Sequence, residues 1–210
     1  MIKLECTEVM GFEGAIRGMR NPMNSWDKSD SGYEALPLNQ YRYVLGPNDL
    51  DLAQRLIKAG PDHRKFMRQI FVSVDLTAPL YYWKEYDTYK VGTTANSCST
   101  MHKIHTKEFT LADFSIGEST MVTLGVLNDY IIPELNRLRD SFNETKDKMY
   151  WYSMIQILPS SYNQKRTCTL TYENLRSMYF ARKNHKLDEW KAFRSWIESL
   201  PYAKELIMIE

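Results

Sequence analysis

The chain has 210 residues, a net charge of +1, 43% apolar and 25% charged residues, the profile of an ordinary globular protein with enough material for a substantial core. The near-neutral balance lacks the basic surplus of a nonspecific nucleic-acid binder, and no uncharged apolar stretch reaches bilayer-spanning length, so neither a nucleic acid nor a membrane is expected as partner. Three widely spaced cysteines, Cys6, Cys98 and Cys168, give no disulfide framework and no metal-ligand spacing; a reducing, cytoplasmic setting is expected, and the acids Glu5 and Glu8 argue against a signal peptide.

In chain order, IKLECTEV alternates apolar and polar residues as a strand does, and FEGAIRGM predicts a short helix. RNPMNSWDKSDSGY is rich in Asn, Ser, Asp, Gly and Pro and is expected to be a loop, long enough to carry function. NDLDLAQRLIKAG reads as a helix, with Asn48 as its cap, Asp49 and Asp51 at its positive end and Gly60 at its exit. QIFVSVDL sets Ile70, Val72, Val74 and Leu76 on one face of a half-buried strand. Pro79 suits the first turn of a helix over LYYWKEYDTY, and the small, polar KVGTTANSCSTMH is expected to be a loop. GESTMVTLGVLNDYIIPELNRLRDSFNE predicts a long helix kinked at Pro133. KDKMYWYSMIQIL predicts another, halted by Pro159, followed by a polar connector. A helix then begins near Asn174, with Leu175, Met178 and Tyr179 as its apolar stripe. The last helix covers LDEWKAFRSWIESL, with Trp190, Phe193, Ile197 and Leu200 on one face. The sum is a helix-rich α/β (α+β) chain with a small sheet, one domain over residues 1–210, without repeats.

The chain contains no Gly-rich phosphate loop, no Cys-x-x-Cys and no His-Glu-x-x-His. His102 and His105 share a spacing but have no evident third ligand, so no metal is expected. Cys98 is a candidate nucleophile, with His63, His102 or His105 as its base, although nothing local fixes the pairing. The richest stretch is NLRSMYFARKNHKLDEW, which carries Arg176, Arg182, Lys183, His185 and Lys186. On a helix Asn174 and Arg176 stand about 200° apart, whereas Asn174, Met178 and Arg182 share a face, as do Arg176 and Phe180. Pattern alone allows a cationic helix end, favoured by the dipole, or a grip on an anion.

The same stretch resembles the C-terminal part of flavin-dependent thymidylate synthases (ThyX), where an Asn-x-Arg-Ser helix is followed by further arginine and an AQWE-like segment. Here Asn174, Arg176, Ser177 and DEWK stand in those places, with about two residues fewer between them. Upstream, HRKFMRQ is similar to the family's His-Ser-x-Phe-Glu-His stretch through His63 and Phe66. Beyond Pro79, Lys84 and Glu85 replace Arg and Gln, Thr88, Tyr89 and Lys90 fall on the signature Arg-His-Arg, and Cys98 falls on its Ser. Leu158-Pro159 also has a counterpart, and the likeness covers roughly residues 48 to 200.

The resemblance implies a ThyX-like fold, a homotetramer with flavin sites shared between subunits, FAD as cofactor and dUMP or a related pyrimidine nucleotide as substrate. In that chemistry a one-carbon unit passes from methylenetetrahydrofolate and reduced FAD supplies a hydride. It implies Asn174, Arg176 and His63 as cofactor-binding residues and Lys90, Ser97, Ser99, Arg166 and Arg182 as substrate-binding ones, with Lys90 and Cys98 as catalytic candidates. The chain departs from the pattern: the triplet keeps one cation, and WYSMIQI lacks the family's phosphate-holding arginine. Lysine cannot copy arginine's bidentate fork. Arg20, Lys28, Lys165 and Arg166 are candidates to restore the charge. Three classes remain: a pyrimidine-methylating transferase, a nucleotide- or flavin-binding homologue without turnover, and a structural or regulatory oligomer without ligand.

Overall fold

Alternate residues from Ile70 to Ala78 are all fully buried: Ile70, Val72, Val74, Leu76 and Ala78 show no exposed surface, while Phe71 is 42% exposed. This is the expected half-buried strand, β4 (Phe71–Pro79), in a computed structural model that describes residues 2–210. A four-stranded sheet has the order β1-β4-β6-β5, with β1 Lys3–Met10, β5 Thr94–Ser97 and β6 Asn163–Thr171. The expected connector after Pro159 is therefore partly a strand. Its inward face alternates through Gln164, the half-buried Arg166, Cys168 and Leu170, so two of these four are polar, which hides the alternation. Likewise β5 lies within the stretch expected to be a loop.

The helices follow the sequence closely. Helix α1 spans Phe12–Arg20, α2 Pro47–Lys58, α3 Leu80–Tyr86, α6 Lys148–Ile157, α7 Tyr172–Ala181 and α8 Asp188–Glu198. The long helix around Pro133 is α4 (Met121–Val126) and α5 (Ile132–Thr145), joined by a π turn over Leu127–Ile131. Proline has no N–H to give and its ring crowds the carbonyl four residues back; the wider turn just before Pro133 relieves both.

The chain divides into two compact units, one built on Asp75–Thr88 and Asn96–Thr167, the other on Leu4–Val74, Tyr89–Ala95 and Cys168–Glu210. The first has a core of Phe109, Phe114, Leu127, Ile132, Leu135, Leu138 and Met154. In the second, Phe12 packs edge-on against Tyr172 and Tyr202, with ring centroids 5.6 Å apart in each pair.

The loop after α1 differs most from expectation. Short 3-10 turns at Asn21–Met23 and Trp26–Lys28 lead to an antiparallel hairpin, β2 (Gly32–Leu36) and β3 (Gln40–Val44), with Tyr33 opposite Tyr43 and Glu34 opposite Arg42. Asn48 does not cap α2. The Asp30 carboxylate accepts from the backbone N–H groups of Asn48 at 2.9 Å and Asp49 at 3.0 Å, so the cap comes from the loop. Gly46 leaves the room: a Cβ there would stand 2.3 Å from the Asp30 carboxyl.

Asp49 stands in the first turn of α2, as expected, and is also fully buried. Arg20, expected as a phosphate cation, is buried against it, Nε to Oδ1 at 2.5 Å. Oδ2 of Asp49 accepts from Ser29 Oγ at 2.7 Å, Ser31 Oγ at 2.6 Å, and the amides of Asp30 and Ser31 at 3.1 and 3.0 Å. Two charges leave water here, and the site tolerates them because both are paired and the carboxylate is ringed by donors.

Two outcomes follow for stability. Gly11 has φ 94°, and a Cβ on it would lie 2.2 Å from the Gln69 carbonyl oxygen, so Gly11→Ala should destabilise by about 2–4 kcal/mol in urea unfolding. Burial raises the Asp49 carboxyl, but the hydrogen bonds from Ser31, Ser29, Arg20 and the Asp30 amide outweigh it and hold the group below the ordinary carboxylate value. Such a group contributes stability that is present above its unfolded pKa and lost as pH falls through the folded value. Arg20→Ala should therefore cost about 3–5 kcal/mol near neutrality, and that cost should shrink below about pH 4.

Candidate functional site

The best-built cluster lies where residues 89–95 meet α7. A capping box starts α7: Thr171 Oγ1 accepts from the Asn174 amide at 3.2 Å, and Asn174 Oδ1 accepts from the Thr171 amide at 3.0 Å and its hydroxyl at 2.7 Å. The remaining Asn174 donor, Nδ2, reaches the Val91 carbonyl at 2.7 Å. Next along, Gly92 takes φ 74°, and a Cβ there would meet Asn174 Oδ1 at 3.3 Å, so the turn needs glycine.

Arg182 ties the other end of the segment. Its Nε donates to the Tyr89 hydroxyl at 2.8 Å, and its guanidinium carbon lies 5.2 Å from the Tyr89 ring centroid and 4.6 Å from that of the buried Trp190. Cation–π contacts of this kind hold a guanidinium in place while leaving it charged. Between the two ties stands Lys90, exposed, with no ion-pair partner among the described residues. Asn174 and Arg182, on one helical face as the spacing requires, thus both serve one segment and present a lysine on a pinned turn.

A second cluster forms around Arg166, on β6 and not in a loop. Its Nη1 bonds Asp87 at 2.7 Å, its Nε bonds Gln164 Oε1 at 3.0 Å, and the guanidinium lies 4.1 Å from the Trp83 ring centroid. Gln164 Nε2 donates to the Cys98 carbonyl at 2.7 Å, and the Cys98 amide donates to the Lys165 carbonyl at 2.9 Å. Cys98 is exposed, and its thiol bonds no histidine among the described residues. Lys165 is paired with Asp75 at 2.7 Å. Ser97 and Ser99 are exposed; Ser99 Oγ accepts from the Met101 and His102 amides at 3.1 and 2.8 Å, a local turn. Lys28 is exposed in its 3-10 turn.

Arg176 points elsewhere. Its Nη1 donates to the Ile207 carbonyl at 2.7 Å and to the Ile209 carbonyl, and the guanidinium lies over the Phe180 ring at 4.7 Å. Burial, with Arg64 nearby, lowers this guanidinium below its ordinary value. Within one chain it clamps residues 207–209. His63 edges a cavity of about 780 Å³ walled by apolar residues such as Met19, Leu52, Leu56 and Phe66 and edged by Ser25, Lys65 and Gln69. That size and mixture fall within the range of small-molecule sites. Among the described residues no group of three His, Cys, Asp or Glu side chains could hold a metal, and no helix is long and apolar enough to cross a membrane.

The sequence assigns Asn174 to a cofactor and Arg182 and Lys90 to a substrate, and does not show that the three are joined in one assembly. Tyr89 and Trp190 were the missing pieces. Tyr89 stands where the family triplet has histidine, which was the available signal; the Trp190 stack depends on the turn between α7 and α8 and had none.

No family sequence model matches the chain, and no curated protein matches it by sequence. Solved structures do match. Thymidylate Synthase X from Helicobacter pylori with FAD and dUMP superposes with a TM-score of 0.74 at 14% identity, covering 98% of this chain and 97% of that one. A second structure of the Helicobacter pylori flavin-dependent enzyme complexed with FAD and dUMP gives 0.68 at 14% identity, with the same coverage of 98% and 97%. The UMP/dUMP methylase PolB from Streptomyces cacaoi, bound with 5-Br dUMP, gives 0.62 at 14% identity, covering 99% of this chain and 95% of that one. Correspondence from end to end at such low identity is a likeness of backbone architecture: this chain is a divergent protein of ThyX-like fold.

Proposed function

We propose that the chain binds a flavin and a pyrimidine nucleotide and methylates the pyrimidine ring, as a divergent homotetrameric transferase of ThyX type. The observation that carries this reading is the end-to-end match to structures holding FAD with dUMP, and to a UMP/dUMP methylase. The cavity beside His63 would hold the flavin ring, with Phe66 and Leu56 supplying apolar surface and His63 and Lys65 polar groups. When bound and reduced, the flavin would supply the hydride that completes the new methyl group.

The chain's own part is binding and orientation. Lys90 gives the nucleotide phosphate a point charge on a turn that Asn174 and Arg182 keep from moving. Preordering of this kind removes part of the entropic cost of binding. Arg182, fixed between two aromatic rings, adds a second positive field beside it. Exposed apolar side chains on α4, the π turn and α6 (Met121, Val122, Tyr130, Met149 and Tyr152) supply surface for contacts between copies.

A second reading, binding without turnover, is favoured by one observation: of Thr88, Tyr89 and Lys90 only Lys90 is a cation, and the Tyr89 hydroxyl is already bonded to Arg182. Flavin absorbance in the purified protein separates both readings from a ligand-free oligomer. Tritium release from dUMP labelled at C5, in the presence of chemically reduced FAD and methylenetetrahydrofolate, separates turnover from binding alone.

Because Lys90 is an exposed point charge, dUMP affinity should fall steeply with salt, as interactions at exposed charges are screened over about 8 Å at physiological ionic strength. Lys90→Ala should abolish dUMP binding and Lys90→Arg should keep it. Calorimetry at low and high salt with flavin present is the check; equal affinity in Lys90→Ala and the parent protein removes Lys90 from the site.

A further inference from the structure

Two cavities share one segment of chain. The larger, about 780 Å³, has Asn21, Pro22, Met23 and Ser25 along one side. A smaller one, about 280 Å³, takes Arg20, Trp26 and Ser29 from the same stretch. No residue from Asn21 to Ser31 is buried, so apolar packing does not fix where this segment stands. Hydrogen bonds do. Asp49, fully buried, holds Ser29, Asp30 and Ser31 through one carboxylate oxygen and Arg20 Nε through the other. Arg20 Nη1 in turn donates to the Ser25 carbonyl at 3.2 Å, and Ser25 lines the larger cavity. Asp49 itself does not line it. Asp49 thus reaches the cavity wall by two routes, through the Arg20 guanidinium and through the turn, where the Ser29 and Lys28 amides donate to the Trp26 and Ser25 carbonyls at 3.0 and 3.2 Å.

We propose that Asp49 is a positioning residue for the ligand of the larger cavity: through Arg20 and the Ser29–Ser31 turn it sets the place of the Asn21–Ser25 wall, and with it the affinity for a planar aromatic ligand of the flavin class. The ligand class rests on the flavin reading above; the positioning of the wall does not. No residue of the segment is buried, so once the carboxylate is lost water competes for the Ser29, Ser31 and amide donors, and the short turns that remain hold the segment less firmly. A ligand must then order the wall as it binds, and apparent affinity falls by the fraction of time the wall is in place.

The test uses the full chain with FAD as probe, read by quenching of flavin fluorescence, beside the rate of tryptic cleavage after the exposed Lys28. Asp49→Asn keeps the shape of the side chain and removes its charge. It should bind FAD about tenfold to a hundredfold more weakly, the range for losing a hydrogen bond to a charged group, and be cleaved after Lys28 faster by a similar factor. Ser29→Ala combined with Ser31→Ala, which leaves the buried ion pair intact, should move both readouts the same way by less, and stands in if Asp49→Asn does not fold. Leu138→Ala, in the core of the other unit, lowers stability without touching the segment and should leave FAD affinity unchanged. Saturating FAD should restore protection at Lys28 in the Asp49 and Ser variants. Unchanged FAD affinity in a folded Asp49→Asn, or an equal loss in Leu138→Ala, overturns the proposal. If the parent protein binds no FAD, the flavin reading fails, and the cleavage rates alone decide whether Asp49 sets the wall: unchanged rates overturn it.

Discussion

A carboxylate without access to water organises the second unit. Left alone, the Asp49 charge would cost several kcal/mol to bury, so the fold must bring it partners. The partners come from a guanidinium on α1 and from two hydroxyls and two amides of the loop that follows. The consequence is architectural: a polar, exposed segment acquires one position, the N-terminus of α2 acquires its cap from Asp30, and the path into the β2–β3 hairpin is set. Removing any one donor leaves the others to hold the loop, whereas removing the acceptor releases them together.

The 89–95 turn is organised on the same logic. Asn174 is used completely: its oxygen closes the α7 capping box and its nitrogen holds the Val91 carbonyl. A residue in such a position cannot be replaced by an isosteric carboxylate without losing the donor to Val91. Arg182 fixes the other end through its bond to Tyr89 and its place against Trp190. Lys90 stands between, exposed, and the anion contact proposed for it rests on being held out and not on being buried. Arg166 illustrates the contrast: it is charged and near the substituted signature, yet Asp87, Gln164 and Trp83 all engage it.

Much of this was legible in the sequence where periodicity carried it. The Ile70–Leu76 strand, the stripes of α7 and α8 and the long helix through Pro133 are all apolar patterns at the spacing of their element. What was not legible depended on partners distant in the chain. The strand β6 escaped because the buried Gln164, the half-buried Arg166 and the exposed Lys165 and Thr167 leave too few apolar residues to show a period. The role of Asp49 escaped because an acid in the first turn of a helix already has a local explanation in the dipole. The clamp of Arg176 on Ile207 and Ile209 depends on where the last residues fold and has no local signal. The likeness to ThyX rested on scattered positions in sequence, and the backbone carries it from end to end.

The central claim is that this divergent ThyX-like chain keeps both a flavin and a pyrimidine-nucleotide site. Native mass spectrometry of the protein incubated with FAD and dUMP tests it most directly, because it reads assembly and ligands together. The account predicts a tetramer whose mass exceeds that of the polypeptides by bound FAD, with further dUMP adducts at low salt that vanish in Lys90→Ala. A species carrying neither ligand at any concentration that saturates flavin enzymes of this fold would contradict it.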